Sequence, residues 1–324
     1  MKIGLTLPNR GVLFGAVTAE QMLQLAERAD ASDRIHSVWV GDSLLGKPRV
    51  ESISLLSAVA GRTRRVRLGT ACMASFPLRD PVLLAYQWAS LDLIAQGRTV
   101  LVVCTGIIPQ EGGRIEGDLY GVERRDRVTR MVEWIQILRL LWTEPDASFE
   151  GQHYRFRGIT IEPRPAARPY PPIWIANNAV GSVDLVSRTH RRVARHADGW
   201  ETSLPEPDDL AWRLEDIRSK LLDEGRDPDC FETHLYHNIN INEDRQQAFG
   251  ESKRFLETYY GEEFSPARIQ SWCALGSPEE CVEHLLAYKK LGFSEVTLRL
   301  TSWDQEAQFE RLVDEVLPAL EEAA

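Results

Sequence analysis

The chain has 324 residues, 43% of them hydrophobic and 27% charged, enough for one large α/β barrel or two ordinary domains with an ample core. Its net charge of -10 excludes a general nucleic-acid binder, which needs a basic face. Its longest apolar runs, such as "TVLVVC", fall far short of the roughly 20 residues of a membrane helix.

The opening "MKIGLTLPNR" has neither a cleavage site nor an apolar core long enough for a signal peptide, and its Ile3-Leu5-Leu7 alternation reads as a strand. The five cysteines, Cys72, Cys104, Cys230, Cys273 and Cys281, are odd in number and include no C-x-x-C pair. That usage fits reduced thiols and a cytoplasmic location, with neither a disulfide framework nor a metal site.

Short apolar strands alternate with amphipathic helices. "KIGLTL" leads to "TAEQMLQLAERAD", whose Thr18 is an N-cap residue. "HSVWVGD" leads to "ESISLLSAVAGRT", and "RVRLGTAC" to "DPVLLAYQWASLDLIA", where Pro81 takes a favourable first-turn position. "RTVLVVCTG" precedes the long helix "ERRDRVTRMVEWIQILRLLW", and "PPIWIAN" precedes "SVDLVSRTHRRVARHA". "GWETS", "FETHLYHNIN" and "SEVTLRL" precede the helices "PDDLAWRLEDIRSKLLDEG", "EDRQQAFGESKRFLETYY" and "DQEAQFERLVDEVLPALEEA".

Eight such strand–helix units imply a closed parallel sheet, the (β/α)8 barrel, in a single α/β domain over residues 1–324. A doubly wound open sheet would carry G-x-G-x-x-G after its first strand, where this chain has "PNRGVLFG". Two stretches interrupt the repeat. Residues 147–172 read as a hairpin and proline-rich connector, and residues 262–292 hold an extra helix capped by Ser277, with Pro278 and Glu280 behind it.

The third strand, "RVRLGTACMASFPLRDP", begins as a good buried strand, yet from Gly69 to Ser75 nearly every side chain is small. A strand end with so little side chain serves either close backbone packing or a flat ligand lying against it. A barrel puts its site at the C-terminal strand ends. Those ends carry Asn9, Asp42-Ser43, Ala71-Cys72-Met73, Cys104-Thr105-Gly106, Asn177-Asn178, Trp200-Glu201-Thr202, His237-Asn238 and Arg299. This mouth is small, apolar and amide-rich, with no metal spacing and no G-x-S-x-G elbow. It suits holding a large flat cofactor better than hydrolysis by side chains.

In chain order, "VWVGDSLL", "RVRLGTACM", "RDPVLLAYQWASLDLIAQGR", "FEGQHYRFRG", "RPYPPIWIANN", "RVARHADGW" and "GSPEECVEHLLAYKKLGFSEVTLRL" resemble the bacterial luciferase-like oxidoreductase superfamily of flavin- and deazaflavin-dependent enzymes. The resemblance runs through nearly the whole chain and implies a (β/α)8 barrel with insertions. It also implies that the third strand ends in a bulge, often with a non-proline cis peptide, supporting the isoalloxazine or deazaflavin ring. Ala71 and Cys72 match those positions, with Met73 beside them and Thr105 at the next strand end. The cofactor phosphate is expected near the loop after strand five, where Asn177, Asn178 and Gly181 stand in place of the Gly-Gly pair of many relatives. Arg299 is a phosphate or substrate partner, or a barrel-end ion pair.

The departures bear on chemistry. Deazaflavin-dependent dehydrogenases of the superfamily commonly have Asp-His after strand two, and this chain has Asp42-Ser43. Their sugar-phosphate members use a Glu just beyond strand four, where Ile107 is nearest. Bacterial luciferase has a cysteine at the end of strand four, which Cys104 matches, although a buried cysteine is more often a small core residue. Asp42, Ser43 and Cys104 are therefore the catalytic candidates.

The expected function is a monooxygenase that takes reduced FMN from a separate flavin reductase and acts on a small organic substrate. The alternatives are hydride transfer with the deazaflavin coenzyme F-420, or a catalytically silent flavin-binding accessory protein. The resemblance further implies a homodimer, with the early helices as its seam. His153 reads as a turn residue, and the Trp134, Ile135, Leu138, Leu141 and Trp142 stripe as core or subunit interface.

Overall fold

A computed structural model describes residues 1–106 and 111–323, so Ile107 lies outside the described residues. The strands are β1 (Lys2–Leu7), β2 (Ser37–Asp42), β3 (Arg67–Met73), β4 (Thr99–Val103), β5 (Ala147–Glu150), β6 (Arg155–Ile159), β7 (Ile173–Ala176), β8 (Gly199–Thr202), β9 (Glu232–Ile241), β10 (Cys273–Gly276) and β11 (Glu295–Leu300). The helices are α1 (Ala19–Ala31), α2 (Ser52–Arg62), α3 (Pro81–Ile94), α4 (Glu111–Tyr120), α5 (Arg127–Thr143), α6 (Val183–His196), α7 (Pro207–Asp223), α8 (Arg245–Tyr260), α9 (Pro266–Trp272), α10 (Pro278–Lys290), α11 (Gln305–Arg311) and α12 (Leu317–Glu322).

In the order β1-β2-β3-β4-β7-β8-β9-β11 each strand pairs in parallel with the next, and β11 returns to β1, closing an eight-stranded barrel. These are the eight strands read from the sequence. The first insertion is the antiparallel hairpin β5–β6. The second holds α10, whose Ser277 and Glu280 form a reciprocal capping box, and it also holds β10, which pairs in parallel with β9 and was not foreseen. "CALG" is too short for its periodicity to separate strand from helix. The helix read from Glu123 begins at Arg127, after a single 3-10 turn. None of the described helices is long and apolar enough to cross a membrane.

Side-chain alternation divides each barrel strand between two layers. Val38, Val40, Leu101 and Val103 face outward into the main core with Leu56, Trp88 and Leu138 of the helix ring. Trp39, Val100, Val102 and Trp174 face inward and form a separate interior cluster, against which Ala71, Cys72 and Ala176 pack. Trp39, Trp174 and His234 meet inside the barrel with ring centroids 4.4 to 5.5 Å apart. That filling needs glycine nearby. A β-carbon at Gly69 would lie 2.2 Å from the Trp39 ring, and one at Gly199 2.5 Å from the Trp174 ring.

The small-residue end of β3 is a bulge. Gly69 pairs with Val100 but Met73 with Val103, so β3 carries one extra residue against β4, and the same slip appears against β2. The Ala71–Cys72 peptide within it is cis.

Candidate active site

A cavity of about 650 Å³ opens at the C-terminal strand ends. Asp42, Ser43, Ala71, Cys72, Cys104, Thr105, Asn177, Asn178 and Arg299 all line it. Met73 does not: it is fully buried in the outer core. Gly181 is exposed in the loop before α6, also outside the lining.

One wall consists of the small residues Ala71, Cys72, Ala74, Gly106 and Ala176, so the backbone itself is accessible from the cavity. The Cys72 and Cys104 sulfurs stand 2.7 Å apart on this wall. Contact with Cys104, together with burial, pushes the Cys72 thiol well above its ordinary range, so it stays protonated at neutral pH.

Asp42 is consumed by structure. Its carboxylate accepts from Ser52 Oγ at 2.8 Å, Ser75 N at 2.8 Å, Ser75 Oγ at 2.6 Å and Arg79 Nη2 at 3.0 Å, fastening β2 to α2 and to the turn after the bulge. These four donors occupy its acceptor positions and leave none directed at a substrate. Ser43 Oγ accepts from Lys47 N at 2.9 Å and shapes the following loop.

The amides after β7 are also engaged with protein. Asn177 Nδ2 donates to Thr189 Oγ1 at 2.7 Å, and Asn178 Nδ2 to Ser203 Oγ at 2.9 Å. Each amide nitrogen keeps one further hydrogen. Beside them Arg192 of α6 reaches the cavity, and burial alone lowers its pKa, with no carboxylate pairing it among the described residues. This end can hold an anion.

The opposite end is aromatic and cationic. The Arg299 guanidinium lies 3.9 Å from the Tyr259 ring centroid, 4.9 Å from Tyr236 and 5.2 Å from Tyr260, and donates to Tyr260 Oη at 2.9 Å. Its Nε has no hydrogen-bond partner among the described residues. Lys47 lies over the Tyr260 ring at 4.3 Å and pairs with Glu262 at 3.4 Å. Of the two readings of Arg299, a barrel-end ion pair has no carboxylate to support it among the described residues.

The floor is Glu201, at the end of β8, buried in the barrel interior except where it meets the cavity. Burial, with Cys104 and Glu295 nearby, raises its pKa well above the usual carboxylate range. Its Oε2 lies 2.9 Å from His234 Nδ1, and burial lowers the His234 pKa to about 3. Burial thus favours the neutral form of both groups.

Arg192, Glu201 and the tyrosine-boxed end were not assigned roles by the sequence reading. Arg192 was accessible to it, because Thr189, Arg192 and Val193 share one face of α6 by helical spacing. Lys47 and the tyrosines carry no such signal, since only the fold gathers a loop, α8 and β9 around Arg299. Of the residues given structural readings, the Trp134 to Trp142 stripe is buried core, and His153 bonds Thr129 Oγ1 at 2.8 Å in the hairpin.

The comparisons agree with this geometry. The chain is 27% identical to the F420-dependent glucose-6-phosphate dehydrogenase of Nakamurella multipartita, over 95% of this chain and 96% of that one. It is 26% identical to the FMNH(2)-dependent dimethylsulfone monooxygenase of Pseudomonas putida, over 63% of this chain and 53% of that one. Its fold matches an F420-dependent secondary alcohol dehydrogenase with a TM-score of 0.82, at 16% identity over 98% of both chains. The family description "Luciferase-like monooxygenase" matches residues 1–295. A closed barrel with a bulged third strand and a small-walled cavity at its C-terminal mouth accompanies that match, and the chain belongs to the luciferase-like family of flavin- or deazaflavin-dependent oxidoreductases.

Proposed function

We propose that this protein is a reduced-FMN-dependent monooxygenase acting on a small organic anion. The wall of Ala71, Cys72, Ala74, Gly106 and Ala176 supports the reading most directly, because its small side chains let a planar ring lie against the backbone. Arg192, Asn177 and Asn178 would hold the cofactor phosphate at one end. Arg299, desolvated between tyrosines at the other, suits a substrate carboxylate, sulfonate or phosphate. Bound reduced FMN supplies two electrons and reactivity towards dioxygen, while the protein positions the ring and excludes water.

Oxidation of an alcohol by hydride transfer requires a base near the hydroxyl. Among the carboxylates lining the cavity, Asp42 is saturated, Glu262 pairs with Lys47, and Glu201 is held neutral. None is an ionised base free to act, which favours oxygenation. A neutral Glu201 equally suits carbonyl reduction with the deazaflavin coenzyme, so that chemistry is the second reading. The relative from Nakamurella multipartita, named for F420, adds to it.

Anaerobic titration with reduced FMN and reduced deazaflavin, followed by oxygen uptake, separates the two. FMN binding with oxygen consumption supports the first and deazaflavin preference the second. Binding without turnover of either kind would indicate an accessory protein. A flavin reductase partner and a homodimer belong to the same proposal. The dimer's seam would use the exposed Leu83, Tyr86, Leu93 and Ile94 of α3.

A further inference from the structure

Parallel register places Glu201 of β8 beside His234 of β9, and His234 beside Glu295 of β11. All three side chains point into the barrel, and His234 is completely enclosed. Two carboxyl groups and an imidazole in so dry a place cost several kcal/mol if charged and unpaired, and core packing alone does not require them. Glu201 touches the cavity. Behind it, His234 Nδ1 meets Glu201 Oε2 at 2.9 Å, while His234 Nε2 has no hydrogen-bond partner among the described residues and lies 3.8 Å from Glu295 Oε1. Glu295 Oε1 in turn accepts from Ser37 Oγ and from Trp39 Nε1 at 2.9 Å.

We propose that Glu201 is the proton donor of this site and that His234 relays a replacement proton to it from Glu295. The inference rests on the reading of the cavity as the redox site, and it holds for either cofactor. In the first step the O–H bond of Glu201 breaks and a new O–H bond forms on a reacting oxygen that gains electron density. The bonding pair stays on Glu201 as a carboxylate. Burial favours the neutral acid at Glu295, so a proton is held there at rest; His234 Nδ1 then gives its own proton to Glu201 Oε2 while Nε2 takes the one from Glu295. The negative charge thereby leaves the cavity wall for Glu295, where Ser37 and Trp39 already donate hydrogen bonds and the Arg67 guanidinium acts through space. A movement of about 0.6 Å brings Nε2 and Oε1 within hydrogen-bond reach.

Among the described residues, two thiols and an ion pair lie close to this line. Cys104 acts on Glu201 through space, and its contact with Cys72, together with burial, keeps the Cys72 thiol protonated. Arg67 and Glu232 pair with each other at 2.7 Å at the lower end of the barrel. His234 stays neutral because burial and Arg67 both oppose its charge.

Infrared difference spectra of the cofactor-free protein test the first part without any turnover. Wild type minus Glu201→Gln at pH 7 is expected to show the carbonyl stretch of a protonated carboxylic acid, and a carboxylate signature instead would overturn the proposal. Glutamine keeps the acceptor for His234 and a cavity-facing N–H, so cofactor affinity should change less than threefold while turnover falls roughly 100-fold or more. Wild-type turnover in that variant would also overturn it. Glu295→Gln is expected to displace the pH profile of kcat, whereas an unchanged profile with only a lower thermal midpoint would leave Glu295 a packing residue and refute the relay. If neither cofactor binds, the functional reading fails, while the infrared result still decides the protonation of Glu201.

Discussion

The Arg299 guanidinium lies 3.9 Å from the centre of the Tyr259 ring, buried and, among the described residues, without a carboxylate partner. Such a cation binds an anion strongly because the desolvation is already in place, and tyrosine rings hold its plane fixed. Arg299→Met is expected to weaken binding of a short alkylsulfonate or carboxylate at least tenfold, about 1.4 kcal/mol, in isothermal titration. A neutral analogue of the same size should be unaffected. Equal loss for both would mean that the substitution disturbs the cavity in general.

Asp42 stood first among the catalytic candidates, and the fold gives it a different duty. It joins β2 to Ser52, Ser75 and Arg79, so Asp42→Ala leaves two buried hydroxyls without their acceptor, while the half-buried Arg79 keeps Glu51 as its partner. The expected cost is about 2–4 kcal/mol in denaturant unfolding, roughly 1–3 kcal/mol for each buried group left unsatisfied. Loss of activity with unchanged stability would return Asp42 to catalysis.

Packing around Trp39 sets a second stability test. Gly69→Ala would place a β-carbon 2.2 Å from the Trp39 ring, and a barrel interior has no slack to absorb it. Destabilisation of about 3 kcal/mol or more is expected. Gly61→Ala is the contrast, because that helical position has nothing within 4 Å of a new β-carbon. There alanine should stabilise by up to about 1 kcal/mol.

The buried acid also governs pH dependence. Glu201 has a folded pKa raised above the ordinary 4.5, so the stability of its neutral form is fully present below pH 4.5 and is lost as pH rises towards the folded value. The unfolded chain releases that proton first, which costs the native state up to about 1.4 kcal/mol per pH unit. Glutamine does not titrate. The stability of Glu201→Gln relative to wild type should therefore improve as pH rises above 4.5, as read by thermal or urea unfolding. A constant difference would show that Glu201 ionises alike in both states.

Much of this architecture was legible before the fold. Several barrel strands announce themselves as continuous apolar runs such as "TVLVV", because a parallel strand is covered on both faces. The small residues from Gly69 to Ser75 marked a strand end with little side chain, while the bulge itself was implied by the family resemblance. What stayed hidden depends on distance along the chain. Asp42 meets Ser52, Ser75 and Arg79 across separations of 10, 33 and 37 residues, and no local pattern encodes that meeting. Glu201 was visible as a strand-end residue. Its protonation follows only from enclosure beside His234 and Glu295, which register between β8, β9 and β11 creates.

The most direct test of the proposed function is the affinity of the purified apoprotein for reduced FMN against the reduced deazaflavin coenzyme under anaerobic conditions. Binding of reduced FMN at least tenfold tighter, with oxygen consumed on aeration, is expected. Preference for the deazaflavin would contradict the monooxygenase and move the chemistry to hydride transfer at the same wall of Ala71, Cys72 and Ala176.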